Sequence, residues 1–104
     1  MVTEDDVRRL ALSLDHTTEK PSYGMPGFRV EDKLFARMKE DAVLVVYREG
    51  EDEKEALIES EPDKFFTTPH YDGYPMVLVR LDAIDEVDLL DLLEESWHLR
   101  NPPG

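Results

Sequence analysis

Four consecutive apolar residues, Val43-Leu44-Val45-Val46, stand between the charged triplet Lys39-Glu40-Asp41 and an acidic stretch that begins after Arg48. In a chain that is 36% Asp, Glu, Lys and Arg, such a run has to be taken out of water. It is short and rich in β-branched residues, so residues 42–47 read as a strand. Successive side chains of a strand point to opposite faces, and four apolar positions in a row therefore require cover on both. The chain has to build a sheet with this strand in its middle.

Candidate neighbours for that strand lie on both sides of it. Phe28-Arg29-Val30 and the arm Lys33-Leu34-Phe35-Ala36-Arg37-Met38 flank Glu31-Asp32, which reads as a two-residue hairpin turn even without glycine. Strict alternation in the second arm puts Leu34, Ala36 and Met38 on one face and Lys33, Phe35 and Arg37 on the other. Residues 19–27 hold Pro21, Pro26, Gly24 and Gly27 and read as turn or irregular edge. Residues 65–68 and 76–81 read as two further strands, joined across Asp72-Gly73, a strong turn pair.

Three helices complete the pattern. Thr3 is a good N-cap with Asp6 at the third helical position, and Val7, Leu10, Ala11 and Leu14 form an apolar stripe ending by Asp15. Residues 53–60 read as a short helix stopped by Pro62, with Ala56, Leu57 and Ser60 inward. Asp85 caps a long helix whose Leu89, Leu92, Leu93, Ser96 and Trp97 share one face, terminated by Asn101-Pro102-Pro103-Gly104. The order α-β-β-β-α-β-β-α predicts one α+β domain over residues 1–104. Its two layers are an antiparallel sheet and helices covering one face, with the other face open to a partner.

Function classes narrow quickly. The chain has no cysteine, so disulfides, thiol nucleophiles and Cys-based zinc sites are excluded. Its N-terminus is acidic from Glu4 onward, unlike a signal peptide, and its apolar runs are far too short to span a membrane, so a cytoplasmic location is expected. His16, His70 and His98 form no metal-type spacing, and no phosphate-binding glycine loop or serine elbow appears, so no metal, cofactor or catalytic residue is assigned. His16 and His98 suit helix C-termini, where a cation favours the dipole. His70, with Asp72 nearby in sequence, is the one position where a general base would be sought.

The formal net charge of −13 opposes binding of polyanions at long range. The charge is unevenly spread: residues 49–63 carry eight acidic side chains against one basic, whereas residues 16–39 carry five basic against three acidic. The second segment and the 64–81 region interleave cations with rings: Lys20, Tyr23, Phe28, Arg29, Lys33, Phe35 and Arg37, then Phe66, His70, Tyr71 and Tyr74. Cations for phosphates and rings for stacking are what a nucleic-acid surface needs. The same composition also serves a peptide or small-ligand face, or simply a core with neutralised acids.

Several blocks, in order, resemble the MmcQ/YjbR family: Glu19-Lys20-Pro21-Ser22-Tyr23-Gly24, Phe28-Arg29-Val30, Lys33-Leu34-Phe35-Ala36-Arg37, Thr68-Pro69-His70-Tyr71 and Glu94-Glu95-Ser96-Trp97. The resemblance covers nearly the whole chain. It implies a compact α+β domain whose hairpins form a "double wing", a DNA-binding role, and no established reaction. Carried onto this chain, it points to Lys20, Arg29, Lys33 and Arg37 as phosphate contacts and to Tyr23, His70 and Tyr71 as stacking or hydrogen-bonding groups. DNA binding of this kind is expected to be weak and strongly salt-dependent. A protein-interaction or small-ligand module using the same face is the alternative. Ligand identity and oligomeric state are not encoded in any motif.

Overall fold

A computed structural model of the chain describes residues 2–101. In chain order it contains α1 (Glu4–Leu12), β1 (Thr17–Ser22), β2 (Met25–Val30), β3 (Lys33–Glu40), β4 (Val43–Tyr47), α2 (Glu51–Ser60), β5 (Phe65–Phe66), β6 (Met76–Arg80), a 3-10 turn (Leu81–Ala83) and α3 (Glu86–Arg100). All strands join one antiparallel sheet in the order β1-β2-β3-β4-β6-β5. The fold is α+β as the pattern requires, with β4 in the interior of the sheet. Leu44 and Val46 belong to the core on the helical side, while Val45 packs with Tyr71 and Leu78 on the other.

The strand order gains one member over the sequence reading, because residues 17–22 form β1. Two prolines suggested irregularity across residues 19–27, but Pro21 lies on the edge strand β1, and Pro26, opposite it in β2, precedes Gly27, the first residue paired with β3. Two tight hairpins join the first three strands. Tyr23 and Gly24 both have positive φ (54° and 79°), as do Glu31 and Asp32 (51° and 61°). This is the mirror-image turn whose twist matches that of the flanking strands.

Alternation fails in β3, and the failure has a cause. Phe28 pairs with Ala36 but Arg29 pairs with Leu34, so Phe35 is an extra residue at a β-bulge. Phe35 turns into the helical core and is fully buried, instead of sharing the face of Arg37. Its carbonyl accepts a hydrogen bond from the buried Ser96 Oγ of α3 at 2.7 Å, and the neighbouring Leu34 carbonyl accepts from Arg100 Nε at 3.0 Å. The long helix thus satisfies backbone groups at the bulge while burying Leu89, Leu92 and Leu93 as its stripe predicts.

The remaining helices follow their caps. Thr3 and Asp6 make a reciprocal capping box at α1, and Trp97 Nε1 donates to the Asp15 carbonyl at 2.9 Å, fixing the end of that segment against α3. The inward side of α2 differs from expectation: Ala56 and Ser60 are exposed, and Lys54, Leu57 and Ile58 face inward. Lys54 is 3% exposed and donates to the carbonyls of Tyr71 at 2.6 Å and Tyr74 at 3.0 Å. Residues 67 and 68 lie outside β5, residue 81 begins the 3-10 turn, and residues 102–104, expected to end the last helix, lie outside the described residues.

Candidate functional site

The face of the sheet away from the helices carries a row that crosses every strand: Lys20, Gly27, Arg37, Val45, Leu78 and Phe66 are successive cross-strand partners. Partners across a ladder share a face. Arg29, two residues from Gly27, and Arg80, two from Leu78, lie on that face too. Gly27 is needed where it stands, since a Cβ would come within 2.9 Å of the Ser22 Cβ and 3.1 Å of Leu34 Cδ1. Edge and hairpin strands therefore pack closely beside Arg37.

Residues 67–75 form a loop that crosses part of this face. Tyr71 packs on Val45 and Leu78 and is 4% exposed. Of the expected stacking or hydrogen-bonding roles, burial of the ring removes the first, and its hydroxyl accepts a hydrogen bond from Arg37 Nη2. On the other side of Arg37 the Tyr23 ring lies under the guanidinium, 5.0 Å from carbon to ring centroid, and Tyr23 is 90% exposed. The half-buried Arg37 is thus held between a ring at a hairpin tip and a hydroxyl from the crossing loop. A second pair repeats the motif, with Arg80 stacked 4.1 Å over Phe66.

His70 is exposed and meets Tyr71 edge-on, with ring centroids 5.0 Å apart. Asp72 does not orient it; that carboxylate accepts from Thr67 Oγ1 at 3.1 Å. The remaining predicted cations divide. Lys20 reaches Asp32 at 3.4 Å across the exposed hairpins, and Arg29 makes a long contact of 3.5 Å to the Asp32 carbonyl. Lys33 pairs with the core residue Val30, which takes it off the face of Arg37, a consequence of the bulge at Phe35. Lys33 is exposed and has no hydrogen-bond or ion-pair partner among the described residues.

Two contributors were not singled out from sequence. Arg80 could have been found by alternation from Met76 and Leu78. Lys54 had no signal, since a lysine in an acidic helix reads as solvated, and only the fold brings it under the loop.

Other recesses hold less. One of about 250 Å³ is lined by His70, Tyr71, Tyr74 and Met76. A larger one, about 520 Å³, is lined by residues 49–53, four of them carboxylates, and lies away from the cation row. Among the described residues no group of three or more His, Asp and Glu converges as metal ligands, and no helix is long and apolar enough to cross a membrane.

Comparisons with known proteins agree with this architecture. The crystal structure of Deinococcus radiodurans protein DR2400, which carries a DUF419 domain, superposes with a TM-score of 0.79 at 24% identity, covering 95% of this chain and 78% of that one. Uncharacterised proteins of Mycobacterium tuberculosis and Mycobacterium bovis are each 38% identical over 120 aligned positions, spanning 98% of this chain and 91% of theirs. The YjbR family model matches residues 12–99. The chain belongs to the YjbR family.

Proposed function

We propose that this domain is a non-enzymatic binding module that takes DNA on the open face of its sheet. The observation that carries the reading is a pairing asymmetry. The chain has 25 carboxylates for 12 Lys and Arg side chains, yet Arg29, Arg37 and Arg80 have no carboxylate partner among the described residues. By contrast Arg8, Arg9, Arg48 and Lys64 each hold two or three. A cation kept from abundant anions retains its charge for a ligand, and α1 and α3 lie behind the sheet.

Few cations imply modest affinity with a measurable salt signature. With three or four phosphates neutralised, log K should fall against log salt with a slope of about −2 to −4. Fluorescence anisotropy of labelled oligonucleotides at low and physiological salt tests this. Binding with that slope, weakened and made less salt-dependent in the Arg29→Gln, Arg37→Gln double variant, supports the reading. No change at roughly 100 µM protein in low salt, the weak end of non-specific affinity, sinks it.

A small-ligand module is the second reading. The recess at His70, Tyr71, Tyr74 and Met76, about 250 Å³, favours it. That volume falls below the roughly 300–1,000 Å³ of ordinary ligand pockets, so the reading comes second.

A further inference from the structure

We infer that the DNA taken by this face is single-stranded, with a base stacked on Tyr23 and a neighbouring phosphate on Arg37; this rests on the DNA reading above. Three observations select the single strand. Tyr23 occupies a left-handed turn position, φ 54°, where Gly, Asn and Asp are the favoured residues, and its ring is 90% exposed. Nothing in the fold requires an aromatic there, whereas an exposed ring backed by a guanidinium is a stacking platform. A duplex offers that platform little, because the faces of its bases are already stacked on one another.

Charge points the same way. A duplex presents about one charge per 1.7 Å of axis and a single strand about one per 3.4 Å, so a chain of net charge −13 is repelled less by the single strand. Arg37 suits one phosphate: its guanidinium spends Nη2 on Tyr71 and Nη1 on a long 3.4 Å contact to the Met38 carbonyl. The other donors of its fork have no partner among the described residues.

The shape of the face supplies the third argument. Readers of duplex DNA insert a helix or a two-stranded ribbon into the major groove. Here α1 and α3 lie behind the sheet, and the β1–β2 hairpin is bound along β3 as part of it. What stands forward is the exposed hairpin tip at Tyr23 on one side and the 67–75 loop on the other, with Arg37 between them.

The test is anisotropy with a labelled strand of about 16 nucleotides, long enough for the largest sites known for one OB fold, and with its duplex, using the intact chain and Tyr23→Asn. Asn is at home in the left-handed turn, so the substitution removes the ring and keeps the fold, which circular dichroism verifies. The single strand should bind at least about tenfold more tightly than the duplex, and Tyr23→Asn should lower single-strand affinity by about tenfold and erase that preference. Equal or tighter duplex binding, or a single-strand affinity indifferent to Tyr23→Asn, overturns the inference and leaves the DNA reading standing. Absence of binding to either probe overturns both.

Discussion

The helical layer and the open sheet face handle charge in opposite ways. On the helical side carboxylates take up most of the arginines: Arg8 holds Glu4, Asp5 and Glu19, Arg9 holds Asp6 and Glu86, and the nearly buried Arg48 ties Glu53 of α2 to Glu95 of α3, while Arg100 stacks over the Tyr47 ring. These ion pairs stitch elements together. On the sheet face Arg37 and Arg80 stack on rings and Arg29 reaches only a backbone carbonyl. The lesson is that −13 sets the long-range repulsion but averages two surfaces with different tasks.

If that division is right, substitutions in the helical layer should cost stability and those on the sheet face should cost binding. The largest effect is expected from Phe35→Ala, which empties a fully buried site at the bulge; urea unfolding should show a loss of about 3–5 kcal/mol. Were that loss small, the bulge would be no anchor between sheet and α3.

Lys54→Met is the variant most able to blur the comparison. It leaves the Tyr74 carbonyl without its side-chain donor and the Tyr71 carbonyl with only the Tyr74 N–H, at about 1–3 kcal/mol, and loosens the loop that holds Arg37. Both stability and oligonucleotide affinity should fall. A stable protein with unchanged affinity would show that the loop does not position the site.

The pair Arg29→Gln and Arg37→Gln sharpens the division. Stability should change by no more than about 1 kcal/mol, since both guanidinium groups make their hydrogen bonds in exposed or half-buried surroundings. The salt slope should become shallower by about 1 for each phosphate that is no longer neutralised. A parallel fall in unfolding free energy would make these arginines structural.

Smallest is the acid response of the capping box. The Thr3 backbone N–H, then its hydroxyl and Arg9, hold the Asp6 carboxyl below its ordinary value. Its contribution is therefore fully present above the unfolded carboxylate range, near pH 4, and is lost as pH falls through the lowered folded value. Asp6→Asn should flatten stability over that acid range and change nothing at the sheet face. An unaltered pH profile would remove the cap from the account.

The elements governed by local or periodic rules were legible. The Thr3 cap, the Glu31-Asp32 hairpin, the two-faced strand at residues 43–46 and the Leu89-Leu92-Leu93-Ser96 stripe all stand where residue spacing put them. Of the site, Lys20, Arg29, Arg37 and Tyr23 do meet on one side of the sheet, and His70 borders it. Lys33 and the Tyr71 ring do not present themselves there, because a bulge displaced one and burial closed the other.

What this sequence determined alone is the set of strong local preferences: caps, turns, and apolar periods whose faces must be buried, which together leave room for one sheet with helices behind it. The tertiary structure decided what depends on distant partners. Ser96 meets a carbonyl 61 residues away at the bulge, Arg37 meets a hydroxyl 34 residues away, and Lys54 finds its carbonyls only once the loop has crossed the sheet. The physical reason is one of range. Helix and strand periods are written in neighbours three, four or two residues apart, whereas register, bulges and the pairing of a cation are settled by whichever groups packing brings within hydrogen-bond reach.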